Sequence, residues 1–266
     1  MNWLRIEGSA YWVVFVAAFL AVSIWESFRP LRPLVSSASR RWSRHALLYA
    51  VSAISFSLIV RVSPVFVAIA AGQWHFGILN HARMPLWISF VITVLALDLC
   101  HYASHRLFHA TEWLWRVHRV HHSDNDFDVS TAVRFHPLEV AGRQLLYLGA
   151  IAVLAPPAGA VLVYGLLVAV ENLFVHANKS LPPGVEGVLR WMMITPDLHR
   201  IHHSEDFVEQ NFNFGEVFPW WDRLFGTYAG ETSSGSGVVV TGLRELRGVD
   251  TLPILYLLTA PFRRLP

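Results

Sequence analysis

Residues 85–105 read PLWISFVITVLALDLCHYASH, an apolar run that ends in two histidines four residues apart. Crossing a bilayer takes about 20 predominantly apolar helical residues, so this run with its flanks is long enough to span. On a helix, His101 and His105 fall on one face about one turn apart. An apolar span that carries paired imidazoles to its end sets the reading of the whole chain. The expected fold class is an all-α integral membrane protein with polar chemistry gathered at one membrane surface.

Three further apolar runs flank this one, at residues 11–24, 46–71 and 145–175. Arg61 and Pro64 interrupt the second, which reads as one span or as a span plus a break. The fourth is too long for one ordinary span, and Pro156-Pro157-Ala-Gly159 at its middle breaks a helix, so it reads as a helical hairpin. The expectation is about four transmembrane helices, the hairpin included. Met1 to Gly8 contains no A-x-A-like cleavage pattern, which predicts an uncleaved first span.

Arg29, Arg32, Arg40, Arg41 and Arg44 lie between the first two spans, whereas the next loop has Arg83 only. The positive-inside rule places the first loop in the cytoplasm. The third span then runs inward and delivers His101 to the cytoplasmic face, and the hairpin keeps residues 116–143 and 179–251 on that side. From Lys179 onward the chain turns richer in Pro, Gly, Asp and Glu, which predicts a cytoplasmic helical cap. ETSSGSG at 231–237 reads as a flexible linker, and 252–262 as an interfacial helix or a loose tail. One membrane-embedded domain is expected over 1–266: mainly anchor to 96, the histidine-bearing region over 97–228, then linker and tail.

Composition agrees. The chain is 54% hydrophobic and 15% charged, where soluble domains carry about a quarter charged residues. A net charge of +2 with no broad basic face argues against nucleic acid. Cys100 is the sole cysteine, which excludes an intramolecular disulfide and a cysteine-based zinc site.

The 14 histidines need an explanation, because imidazole is a poor core filler and a poor lipid-facing group. His118, His121 and His122 are spaced i, i+3, i+4, and His199, His202 and His203 repeat that spacing within a local echo, VHRVHHSD against LHRIHHSE. Each set presents its nitrogens in one direction. One such triplet should arise by chance in roughly one chain in thirty, two far more rarely. Eight imidazoles crowded together are costly unless a metal binds them. They exceed what one tetrahedral zinc uses and suit two ions of higher coordination number. Imidazole accepts Fe, Zn, Cu and Ni, so ligand type alone does not choose. Three other readings compete. A histidine-rich metal transporter would place its ligands at mid-span rather than at helix ends. A zinc-dependent lipid-modifying enzyme acting as a hydrolase would be expected to carry H-E-x-x-H, which is absent. A haem-binding or structural protein has no need of so many ligands.

Around the boxes stand Asp98-x2-His101-Tyr102-x2-His105-Arg106, Arg134-Phe-His136-Pro-x-Glu139, Asn172-x3-His176-x-Asn178, Asn213-Phe-Gly215 and Trp221-Asp222-x2-Phe225-Gly226-Thr227. Together with the histidine boxes, these blocks resemble the fatty acid hydroxylase/sterol desaturase superfamily of membrane di-iron enzymes, in the family's order over residues 97–228. The resemblance implies two iron ions between a helical membrane base and a cytoplasmic cap, with O2 as co-substrate. It implies hydroxylation or desaturation of a lipid drawn from the bilayer, whether sterol, fatty acyl or a related lipid. No cytochrome b5-like domain or Cys-rich iron–sulfur pattern occurs in the sequence, so electrons are expected from a separate reductase, ferredoxin or cytochrome b5-type donor. A bacterial inner membrane, with the boxes on the cytoplasmic face, is the expected location.

Carried over by the resemblance, His101, His105, His118, His121, His122, His199, His202 and His203 are the metal ligands, and His176 is a ninth. His136 stands as either a ligand or outer support. Asn172 occupies a position where some members carry a histidine, and is expected to hydrogen-bond a ligand or leave a coordination position open. Asp98, an intramembrane carboxylate, is expected to face the site and accept a ligand N–H. Asp124 and Glu205 are expected to support the boxes they follow. His109 is expected to cap the surface, and His45, His75 and His81 receive no role.

Overall fold

The computed structural model describes residues 3–233, 235, 239–247 and 249–264, so positions 234, 236 and 237 of the expected linker lie outside the described residues. Among the described residues twelve α-helices follow one another: α1 Trp3–Ser27, α2 Ala38–Ile59, α3 Pro64–Gln73, α4 Ile78–His81, α5 Leu86–Ala110, α6 Glu112–His122, α7 Pro137–Leu154, α8 Ala158–Val175, α9 Pro183–Leu189, α10 Pro196–His202, α11 Trp220–Phe225 and α12 Ile254–Thr259. Among the described residues there is no β-strand, only an isolated bridge between Ser204 and Thr241.

By length and composition five segments among the described residues are able to cross a bilayer: Ile6–Ser27, Ala38–His81, Leu86–Ala110, Pro137–Leu154 and Ala158–Val175. That is one more than the expected count of about four, because both arms of the hairpin are long enough to span. The second segment is a span plus a break. Its helix ends at Ile59, and Ser63 caps the restart by accepting the Phe66 N–H, with Pro64 in the first turn. The hairpin turns where expected: Ala155 takes a left-handed φ of 49° and Pro157 opens α8. Gly77, with φ of 100°, lets the α3–α4 turn approach this corner, since a Cβ there would stand 2.5 Å from that of Ala155.

α1 lies along α8, α2 along α7, and α3 and α5 against both α7 and α8. Val65, Leu97, Ile151, Val161 and Tyr164 form the buried core between them. The outward faces carry Trp12, Val16, Leu20 and Ile24 on α1 and Leu86, Trp87 and Val91 on α5, all exposed. Apolar side chains along a continuous outer stripe are what a lipid-facing surface requires.

The C-terminal ends of α1, α5 and α8 and the N-terminal ends of α2 and α7 meet α6, α10 and the loops that follow. Glu26 at the end of α1 accepts the N–H groups of Val129 (3.1 Å) and Asn178 (3.0 Å), tying that end to the loops on either side of the α7–α8 hairpin. The segment over 252–262, open between interfacial helix and loose tail on sequence, is α12 and a 3₁₀ turn packed inward: Leu257 is buried against Leu48 of α2 and Val120 of α6.

Candidate metal centre

Nine histidines converge where α5, α6, α8 and α10 end. Two sets have ring nitrogens that all lie within 4.8 Å of one another: His105, His109, His118, His122 and His202 in one, and His121, His176, His199 and His203 in the other. The i, i+3, i+4 spacing makes α6 and α10 each feed both sets. α6 sends His118 and His122 to the first and His121 to the second, while α10 and its C-cap send His202 to the first and His199 and His203 to the second. The sets adjoin, with the His122 and His203 rings stacked at 4.4 Å.

Hydrogen bonds around the rim decide the tautomers of three histidines in the first set. His105 Nδ1 meets the Phe214 carbonyl at 3.0 Å, His202 Nδ1 the Phe212 carbonyl at 2.8 Å, and His118 Nδ1 the Glu139 carboxylate at 2.6 Å. Carbonyls and carboxylates only accept, so each Nδ1 carries its ring's proton and each Nε2 keeps a lone pair. Those Nε2 atoms nevertheless approach one another, His105 to His118 at 3.1 Å and His202 to His105 at 3.0 Å, and His122 Nε2 lies 3.2 Å from that of His118. In the second set His176 Nδ1 donates to the Asn172 carbonyl at 2.6 Å, and its Nε2 lies 3.2 Å from that of His121 and 3.1 Å from that of His199. At His105 the lone pairs of His118 and His202 converge without a proton between them, and they repel unless a cation sits among them.

The spacing fits a metal. With metal–imidazole bonds of about 2.1 Å, neighbouring nitrogens stand about 3.0 Å apart in an octahedron and about 3.4 Å apart in a tetrahedron. The contacts here, 3.0 to 3.2 Å, run from the octahedral spacing to midway between the two. Five nitrogens in the first set also exceed a tetrahedral complement. Burial, reinforced by neighbouring histidines, holds His118, His121, His122, His199 and His203 well below the ordinary imidazole range. Burial also brings His202 down to about 3 and His176 to about 4, against the upward pull of their carbonyl partners. Neutral imidazole is the form that binds metal.

The first pair facing the centre is thus His105-x3-His109, one helical turn beyond the expected His101/His105. His101 lies outside both sets, with Nδ1 3.2 Å from the Tyr164 hydroxyl. His109, read as a surface cap, is held among His118, His122, His202 and Trp115, with ring centroids at 4.7 to 4.9 Å. His136 caps α7 instead: Nδ1 accepts the Leu138 N–H at 3.2 Å and Nε2 faces the Leu258 carbonyl at 3.2 Å.

The expected supporting carboxylates are also placed elsewhere. Asp124 pairs with Arg41 (Nη2 to Oδ2, 2.9 Å) and accepts from Thr131 (2.9 Å). Burial pushes its carboxyl up, but the Arg41 and Arg134 guanidiniums outweigh that and hold it below the usual carboxylate range. Glu205 pairs with Arg247 at 2.8 Å. Asp98 reaches the box histidines only through Tyr164. Asn172 orients His176 by its backbone carbonyl, while its side chain donates to the Ala132 carbonyl at 2.8 Å.

Glu139 supplies the carboxylate that sequence reasoning assigned elsewhere. It is fully buried on α7, and its place within the R-F-H-P-x-E block is the signal that marks it. The Phe212 and Phe214 carbonyls carry no side-chain signal at all. Their segment is shaped by Asn213 in a left-handed conformation (φ 56°) and by Gly215, where a Cβ would stand 2.7 Å from Ile194 and 2.9 Å from Asp222.

One cavity opens at the centre and a second lies beside it. A small one of about 20 Å³ is lined by histidines of both sets, by Phe135 and Asn172, and by the Arg143–Glu216 ion pair. A larger one of about 610 Å³ runs among α1, α2, α3, α7 and α8, and shares Phe135 and Asn172 with the first.

With the geometry established, comparison with known proteins gives a matching assignment. The family model described as fatty acid hydroxylase matches residues 90–227, which contain all nine clustered histidines. The chain belongs to the fatty acid hydroxylase family. Similar proteins include ornithine lipid hydroxylase OlsE of Rhizobium tropici, 32% identical over 146 residues, covering 55% of this chain and 43% of that protein. Human alkylglycerol monooxygenase is 30% identical over 149 residues, 56% of this chain and 32% of that protein. Very-long-chain aldehyde decarbonylase GL1-1 of Oryza sativa subsp. indica is 28% identical over 237 residues, 81% of this chain and 36% of that protein. The chain thus spans less than half the length of each of these relatives. No solved structure matches.

Proposed function

We propose that this chain is a membrane-bound di-iron oxygenase that hydroxylates or desaturates a lipid, using O2 and electrons from a separate donor. The observation that carries the reading is the pair of convergent imidazole sets, with a largely apolar cavity on the other side of Phe135 and Asn172. The proposed ligands are His105, His109, His118, His122 and His202 for one ion and His121, His176, His199 and His203 for the other. Two irons so held would supply oxygen activation and oxidation of an unactivated C–H bond.

The residues of the chain do the rest. Glu139 and the Phe212, Phe214 and Asn172 carbonyls hold protons on the outer ring nitrogens, so the inner ones stay free for metal. Phe135, stacked on His121 at 4.4 Å, forms the wall between the centre and the large cavity. A space of about 20 Å³ accommodates a molecule the size of water or O2 and little else, which keeps bulk solvent from the reacting atoms.

The large cavity runs along α8 from Asn172 to Val161, about 16 Å of helical rise, and Val161, Leu162, Leu166 and Phe56 give it an apolar lining suited to an alkyl chain. The arginine-bearing loop between α1 and α2 lies at the histidine end of the helices. This supports a cytoplasmic cap over five spans in a bacterial inner membrane. The test is aerobic incubation of the iron-loaded protein with a reductase system and a panel of membrane lipids, read by mass spectrometry. An oxygen-labelled alcohol or a new alkene from one lipid class is expected. Reduced, iron-loaded protein that leaves every lipid unchanged while consuming no oxygen would contradict the reading.

A further inference from the structure

Of the eight box histidines, His101 alone is outside the two metal sets. It lines the large cavity, its ring against that of Tyr147 with centroids 4.8 Å apart. What faces it from behind fixes its chemistry. Asp98, fully buried, accepts from four donors: the Tyr164 hydroxyl (3.0 Å), the Val217 and Phe218 backbone N–H groups (3.1 and 3.3 Å) and Trp221 Nε1 (2.9 Å). Tyr164 has one proton and gives it to Asp98, so its oxygen accepts from His101 Nδ1 at 3.2 Å. Nδ1 therefore carries the ring proton and Nε2 keeps its lone pair. Among the described residues none donates to Nε2. Tyr147, on the same cavity wall, has its hydroxyl buried without a partner.

A buried acceptor and a buried hydroxyl on the wall of one cavity are costly to leave unpaired. We propose that His101, with Tyr147 beside it, selects the substrate by accepting a hydrogen bond from a hydroxyl or amide N–H group on the lipid. His105 follows on the same helix after about 6 Å of rise, so the donor group is held a few carbon–carbon bonds from the metal centre. The inference rests on reading this cavity as the lipid site and adds to it a required functional group.

The test compares hexadecanol, palmitamide and hexadecyl methyl ether, of which only the first two have a donor. Each displaces a fluorescent fatty chain from detergent-purified, metal-loaded protein, and metal content is measured on the same samples. The wild type should bind the alcohol or the amide about tenfold more tightly than the ether, the usual consequence of leaving a buried acceptor unpaired. His101→Phe should lose that preference and keep its metal. His101→Gln, which retains an acceptor, should keep part of it, and Tyr164→Phe should reduce it by releasing the Nδ1 proton. If His101→Phe does not fold, these two variants decide the matter by the same comparison. Preference for the alcohol alone or the amide alone names the group and supports the proposal. Equal binding by the wild type, preference undiminished in His101→Phe, or loss of metal from that variant would each overturn it. Discrimination in binding without oxidation of any lipid would leave this inference standing and remove the oxygenase reading. Oxidation without discrimination would do the reverse.

Discussion

Replacing Glu139 by Gln should loosen one metal position and leave the other in place. Glu139 is fully buried and its Oε1 lies 2.6 Å from His118 Nδ1, a charge-assisted contact to a ligand of the first set only. Hydrogen bonds to charged groups contribute about 1.5–3 kcal/mol, and removing an outer partner of a metal-bound histidine typically costs about 10- to 100-fold in metal affinity. The two ranges agree, since 1.4 kcal/mol is about tenfold. Gln keeps the size and one acceptor oxygen, so about tenfold is expected for Glu139→Gln. Ala leaves the His118 N–H unpartnered and should sit at the upper end. The assay is graded chelator competition on detergent-purified protein, with metal counted at each step. The variant should pass through a state with one metal at a chelator level that leaves both in the wild type. Release of both metals together, or release identical to wild type, would refute the assignment of Glu139 to a single set.

The backbone that carries the Phe212 and Phe214 carbonyls should be equally exposed to a small change. Gly215→Ala forces a Cβ to within 2.7 Å of Ile194 and 2.9 Å of Asp222, for which overpacking typically costs about 1–3 kcal/mol; a lowered Tm together with weaker metal retention is expected, and an unchanged Tm would contradict the packing. Acid should destabilise the metal-free protein through its buried imidazoles. Their folded pKa values, about 4 for His176 and about 3 for His202, lie below the unfolded value of about 6.5. The unfolded state therefore binds more protons, and stability falls as pH drops through about 6.5 toward those lower values, by up to about 1.4 kcal/mol per pH unit for each such histidine. Denaturant midpoints at about pH 7.5 and pH 5.5 check the sign, and equal midpoints would mean that these histidines are solvated.

Membrane class, the helical hairpin and the two H-x-x-H-H turns are legible in the sequence because each rests on a local rule: long apolar runs, a Pro-Pro corner, and helical spacing. The alignment of the first box is not. His101, His105 and His109 are spaced i, i+4, i+8, and four residues advance about 40° beyond a full turn, so both pairs share a face equally well. Which pair meets α6 and α10 depends on how α5 is rotated in the bundle, and that is set by packing of distant elements. Tyr164 from α8 and the 214–221 segment hold Asp98 and His101 on one side, which leaves His105 and His109 for the centre. Asp124 fails as a guide for a related reason. Its nearness in sequence to His122 suggests support for the box, yet Arg41, 83 residues earlier in the chain, claims the carboxylate. The carbonyls of Phe212 and Phe214 belong to the backbone, which no residue type announces.

The two imidazole sets are proposed to hold two metal ions. Metal analysis of the detergent-purified protein tests it, with His202→Ala removing a nitrogen from the first set and His203→Ala one from the second. About two irons per chain in the wild type, with each variant losing one position more readily than the other, is the predicted result. A wild type holding a single metal, or a metal content untouched by either substitution, would contradict the account.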